Sequence, residues 1–160
     1  MSRTRDVSNI LKQPFTVTLG TSSYRAGVNA GNSILSGGNY NTVIGDEAGT
    51  AITTGDENTL VGYVSGDAIT TGIRNVAVGS YALSTNVAGD QSVAVGHGAL
   101  FLQNPSTNAD MNNTAVGHDA GNQVTTGANN TFVGGLAGDG TDNGNDNVAI
   151  GHQALSANAG

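Results

Sequence analysis

A five-residue motif of the form Asn-(Thr/Val)-apolar-(Val/Ile)-Gly opens at Asn41, Asn58, Asn75, Asn113, Asn130 and Asn147, and once with Ser92 in place of Asn. Its closing glycines are Gly45, Gly62, Gly79, Gly96, Gly117, Gly134 and Gly151, spaced by 17, 17, 17, 21, 17 and 17 residues. One four-residue insertion, in the stretch Phe101 to Asn112, accounts for the only break. A period this strict limits the chain to repeat architectures, because each unit is too short to bury an apolar face alone. Three residues past each closing glycine stands Ala48, Ser65, Ala82, Ala99, Ala120, Ala137 or Ala154. Ten residues past it, Gly55, Gly72, Gly89, Gly127 and Gly144 mark a second corner.

Seventeen residues are too few for a helical hairpin or for a propeller blade of about 40 residues. They fit one turn of a β-solenoid, with equivalent strands stacked about 4.8 Å apart. With 25 glycines and no cysteine, long helices and a disulfide scaffold are both disfavoured. The expected fold is therefore all-β, a parallel solenoid over residues 29–160, preceded by an attachment or capping segment over 1–28. Ala30 to Gly37 matches Ala48 to Gly55 at an offset of eighteen and reads as a degenerate half turn. Thr16 to Leu19 reads as a strand, and Asp6 to Leu11 as a short helical turn ahead of Pro14.

Two columns follow from stacking. Ile44, Val61, Val78, Val95, Val116, Val133 and Ile150 are expected to line the interior, and the opening asparagines to form an amide ladder. The third motif position then faces outward, yet it is apolar in every repeat: Val43, Leu60, Ala77, Ala94, Ala115, Phe132 and Ala149. A contiguous outward apolar stripe is uncommon on monomers, so these seven residues are the expected oligomer interface.

Several chemistries are disfavoured. The net charge is −7, with a balance of +3 in residues 1–25 and −10 in the rest, and affinity for nucleic-acid backbones needs clustered Lys and Arg. The longest apolar run near the start is Ile10-Leu11, far short of a secretory signal or a membrane span. The chain is thus expected to be made and kept in a cytosol, or to leave it by lysis. No nucleophile elbow, zinc-protease helix or phosphate loop is present, and an enzyme is not expected.

Two features of the repeat leave room for ligands. His97, His118 and His152 each follow a closing glycine, and the first two fall in adjacent turns, within about 5 Å of each other. Two imidazoles without a carboxylate column are read as exposed corner residues, so no metal or cofactor is expected. The acidic pairs Asp46-Glu47 and Asp56-Glu57, and the oxygen-rich run Asp139 to Asp146, are read as solvated turns; the run lacks the twelfth-position Glu of an EF-hand. The insertion residues Phe101, Leu102, Asn104 and Pro105 are the candidate partner contact. Recurrent Thr-Thr pairs raise ice binding as an alternative function.

Asn147 to Leu155 and Asn113 to Gly121, with linkers such as Thr125-Thr126-Gly127, resemble the head repeats of trimeric autotransporter adhesins and related repeats of bacteriophage tail fibres. The resemblance spans residues 41–160. It implies a trimeric, left-handed parallel β-roll. The opening Met1 to Leu11 is similar to the starts of tail-fibre and appendage proteins of phages, cyanophages among them, where such an end joins the virion. Arg3, Arg5, Ile10 and Leu11 are accordingly the expected virion-attachment residues. The resemblance implies a homotrimeric virion fibre with other virion proteins at its N-terminus and a host cell-surface receptor as a further partner, or else a bacterial adhesin head.

Overall fold

The computed structural model describes residues 22–156. The expected strand at Thr16 to Leu19, the helical turn at Asp6 to Leu11, and Arg3, Arg5, Ile10 and Leu11 lie outside the described residues. The described chain is all-β, a parallel β-solenoid with no helix. Eight three-residue strands form its main sheet: β1 (Tyr24–Ala26), β2 (Thr42–Ile44), β3 (Thr59–Val61), β4 (Val76–Val78), β6 (Val93–Val95), β8 (Thr114–Val116), β9 (Thr131–Val133) and β10 (Val148–Ile150). Each pairs in parallel with the next, in the register of the repeat: Val43 sits on Leu60, Leu60 on Ala77, and Ala115 on Phe132. The insertion is absorbed without a slip, since Ala94 pairs with Ala115 across it. A second, two-stranded sheet joins β5 (Gly89–Asp90) to β7 (Ala109–Asp110).

The repeat fold begins earlier than the sequence suggests. Tyr24, Arg25 and Ala26 pair with Thr42, Val43 and Ile44, so the turn ahead of the first motif carries its own strand and is not a half turn. Its sequence, Tyr-Arg-Ala-Gly, keeps only the closing glycine of the motif, which is why the repeat pattern passes over it. The boundary expected at residue 29 therefore falls inside a structured turn.

The closing glycines are fixed by the stacking itself. A Cβ at Gly45 would lie 2.3 Å from the Gly62 carbonyl oxygen, at a φ of +132°. The same collision recurs at Gly62, Gly79, Gly96, Gly117 and Gly134, so the corner column admits no side chain.

The two faces of each strand are the reverse of expectation. Val43, Leu60, Ala77, Ala94, Ala115 and Phe132 are fully buried within a single chain, and Ala149 is 4% exposed. They form the core with Ala48, Ala82, Ala99, Ala120 and Ala137, and are not an oligomer interface. The fourth motif position instead faces out: Ile44, Val116 and Val133 are each more than a third exposed. The physical reason is parity. Side chains two apart share a strand face, so the third position lies on the side of the opening asparagine. Those asparagines point inward, where their amides have work to do.

The amide ladder is as expected. Asn41 Oδ1 accepts from the backbone N–H of Asn58 at 2.9 Å, and Asn58 Oδ1 accepts from that of Asn75 at 3.0 Å. Each amide nitrogen donates across the turn to the second-corner glycine, Asn41 to the Gly55 carbonyl and Asn75 to that of Gly89, both at 2.8 Å. Both ends of a fully buried amide are thereby satisfied, which removes the penalty of roughly 1–3 kcal/mol for an unpaired group.

Ser92 would break this ladder, and the insertion region repairs it. Buried Gln103 hydrogen-bonds the Ser92 hydroxyl, and its Oε1 accepts from Asn113 Nδ2 at 2.9 Å. Gln103 occupies the core column held by Ile52, Ile69 and Val124 in the regular turns. Met111 is buried beside it, so the insertion loop is confined to about residues 104–108.

Candidate functional site

The corner after each closing glycine sets the geometry of the exposed ridge. The second residue past that glycine is in the left-handed region in every turn, with φ of +59° at Glu47, +61° at Tyr81, +63° at Gly98 and +52° at Asp119. This reversal turns the first residue's side chain out to solvent, in a row one turn apart. The row reads Tyr63, Ser80, His97, His118, with Tyr81 leaning in from the neighbouring position.

The row is an aromatic ribbon. Tyr63 and Tyr81 meet edge to face at 5.6 Å, and Tyr81 meets His97 at 5.9 Å in the same manner. His97 and His118 stack at 5.2 Å with ring planes 10° apart, as the repeat spacing predicts. Phe101, from the insertion region, closes the ribbon against Tyr81 at 6.4 Å. Tyr81, His97, Gly98, Phe101, Asp119 and Asn122 line an open concavity of about 360 Å³.

Asp119 sits beneath both imidazoles. Its Oδ2 is 3.2 Å from His118 Nδ1, and its Oδ1 is 3.7 Å from His97 Nδ1. Gly98 makes the room, since a Cβ there would lie 2.1 Å from Asp119 Oδ1. Asn122 orients the carboxylate, donating from Nδ2 to the Gly98 carbonyl at 3.2 Å and to Asp119 Oδ1 at 3.4 Å. Sequence reasoning reached the two histidines and missed Asp119, Gly98 and Asn122. The signal was present: 21 residues separate Gly98 from Asp119, the spacing of turns across the insertion, so a missing side chain faces a carboxylate.

The expected partner-contact residues divide. Asn104 is exposed, Phe101 and Leu102 are half-buried, and Pro105 is buried, so Pro105 is not available to a partner. Asn108 instead reaches back over the coil and accepts from the Thr71 hydroxyl at 3.1 Å. His152 stands apart from the other two histidines, because Gly135 occupies the intervening turn. Among the described residues, no helix is long and apolar enough to cross a membrane.

A second surface is the outer face of the main sheet. Its fourth positions are Val or Ile in all seven motif turns, and its second positions are Thr or Val. Ile44 is 37% and Val133 is 37% exposed even with neighbours stacked on either side, and at β10 the figures for Val148 and Ile150 are 71% and 69%. The result is an apolar ribbon along the coil axis. No protein-family model, curated protein or solved structure matches the chain.

Proposed function

We propose that this chain is a non-enzymatic structural rod, a trimeric β-roll shaft of a bacteriophage tail fibre or related appendage that contributes to host attachment. The solenoid is a structural repeat fold, and the observation that carries the reading is the valine and isoleucine ribbon on the outer sheet face. Ordinary surfaces scatter single apolar residues, whereas a continuous stripe in register calls for a covering surface. A second copy of the same coil presents the same stripe at the same spacing, so self-association along the axis matches it turn for turn. The resemblance of Asn113 to Gly121 and Asn147 to Leu155 to adhesin and phage-fibre repeats supports three copies and the virion as location. In this reading the segment ahead of β1, with Arg3, Arg5, Ile10 and Leu11, docks on another virion protein, and the exposed corner ridge faces a receptor.

The ice-binding alternative is weakened by how the threonines are used. The Thr53 and Thr70 hydroxyls donate to carbonyls of the next turn at 3.1 and 3.2 Å, and Asn108 covers Thr71. These three hydroxyls are committed to the coil and are not free to order water.

Sedimentation equilibrium of the full chain tests the proposal. The expected mass is three times that of the chain. The double variant Val78→Lys with Val95→Lys is expected to yield monomers that keep a β circular-dichroism spectrum. A monomeric wild type at micromolar concentration would sink the trimeric shaft, and thermal hysteresis in ice would revive the alternative.

A further inference from the structure

We propose that His97, His118 and Asp119 form a surface site for one divalent transition-metal ion of the zinc class. The inference stands on a single chain and does not rest on the fibre reading. The three side chains offer one ligand atom each, all within 4.8 Å of one another. Ligands at about 2.0–2.1 Å from a tetrahedral zinc ion lie roughly 3.3 Å apart. The Asp119 oxygens already stand 3.2 and 3.7 Å from the two Nδ1 atoms, so closing the site needs only small side-chain rotations.

Three further observations separate this cluster from a chance meeting of surface groups. The two imidazoles are parallel, with both Nδ1 atoms turned toward the same carboxylate. Gly98 replaces the side chain that every other turn from Asp46 onward carries at the second corner position, and Asp119 Oδ1 fills the space this leaves. Asn122 then holds the carboxylate from behind, the outer hydrogen bond that fixes a ligating carboxylate in built metal sites. The site opens onto the concavity beside Tyr81 and Phe101, leaving a coordination position for water or for a donor group from a partner. Two imidazoles and one carboxylate favour zinc, nickel or copper over calcium and magnesium, which prefer six or more oxygens.

Calorimetric titration of the full chain with zinc chloride tests the assignment, with calcium and magnesium chlorides as controls. The expected result is one saturable zinc site per chain and no heat from the controls. His118→Ala and Asp119→Asn are each expected to weaken zinc binding at least tenfold, and Asn122→Ala on the order of tenfold. His152→Ala is expected to leave it unchanged. Because both histidines are exposed, the variants should keep the wild-type circular-dichroism spectrum. Zinc-induced broadening of the His97 and His118 ring proton resonances, but not those of His152, gives a readout independent of heats. Absence of a saturable site, equal binding by the His97→Ala, His118→Ala double variant, or loss of binding on His152→Ala would each overturn the proposal.

Discussion

The regular turns and the central turns of this coil fill the same cross-section with different residues. In the turns of Val43, Leu60 and Phe132 the strand supplies the bulk and the corner is a glycine. Leu60 faces Gly66, and Phe132 faces Gly138, where a Cβ would stand 2.4 Å from the ring. In the central turns the strand supplies Ala77 or Ala94, and the corner supplies buried Leu83 or Leu100. Those leucines hold φ of +51° and +49°, a backbone state that costs roughly 1–2 kcal/mol for a residue with a Cβ. Burying a leucine side chain returns about 1.5–3 kcal/mol, so packing outweighs the strain. Strand and corner thus share the filling of the coil, and where both are small, at Ala115 and Gly121, the Leu100 and Phe132 side chains of the adjacent turns take the space.

The sharpest way to break this comparison is to exchange the two solutions within one turn. Phe132→Ala is expected to cost about 3–5 kcal/mol, because Gly121 and Gly138 on either side leave nothing to refill the space. Gly138→Leu alone is expected to destabilise by about 1–3 kcal/mol through its collision with the Phe132 ring. The combination reproduces the pairing of Ala77 with Leu83, so its loss should be well below the sum of the two. Urea denaturation of the four proteins in a double-mutant cycle checks this, and strict additivity would refute volume exchange.

A second difference lies in the polar part of the core. The regular turns pass the ladder from amide to amide, whereas the central ones route it through Gln103. Gln103→Ala removes a partner from both Ser92 and Asn113 and is expected to cost about 1–3 kcal/mol. In the Ser92→Asn background the same substitution should cost less, since the new amide can carry the ladder. Thermal unfolding of both variants measures it.

The smallest expected effect concerns charge at the central second sheet. Burial raises the Asp90 carboxyl above the ordinary carboxylate range; the hydrogen bond from the Ile73 N–H opposes this, and the Asp110 carboxylate adds to the rise. The folded state then holds its proton more tightly than the unfolded state. Stability contributed by this group is intact below the ordinary value and falls as pH rises through the folded one. Asp90→Asn should flatten that acid-range fall and gain about 0.2–1 kcal/mol at neutral pH by removing a like charge opposite Asp110. Asn145 shows that an amide serves at this position, accepting from the Ala128 N–H at 2.7 Å. Denaturation midpoints between pH 3 and pH 7 follow the difference, and unchanged profiles would rule it out.

Legibility in the sequence follows how local each signal is. The period, the parallel register, the amide ladder and the stacking of His97 on His118 all follow from counting, because identical turns stacked at a fixed rise put equivalent residues in contact. The strand β1 was hidden, since Tyr24-Arg25-Ala26 shares none of the motif's opening residues. Asp119 was hidden for another reason. Its role depends on the absence of a side chain at Gly98 one turn away, and the four-residue insertion moves that pair off the seventeen-residue count.

The inside and outside of each strand show where reading stops. Alternation states that the third and fourth motif positions face opposite ways, but both are apolar in every turn, so hydrophobicity alone cannot choose between them. Taking the uniform fourth position as the interior is the wrong choice: the opening asparagines are buried, and the third position shares their face. What makes the third position binding is tertiary: only there do Leu60, Ala77, Ala94 and Phe132, uneven in size, meet Gly66, Leu83, Leu100 and Gly138 at corners of complementary volume. The uniform valine and isoleucine column has no such need of a partner within the coil, and it is left on the surface. Sequence by itself determined that this chain coils, with what pitch of residues and in what register; the three-dimensional packing alone decided which side of the strand became the core, because close packing depends on the shapes that meet and not on the order in which they are joined.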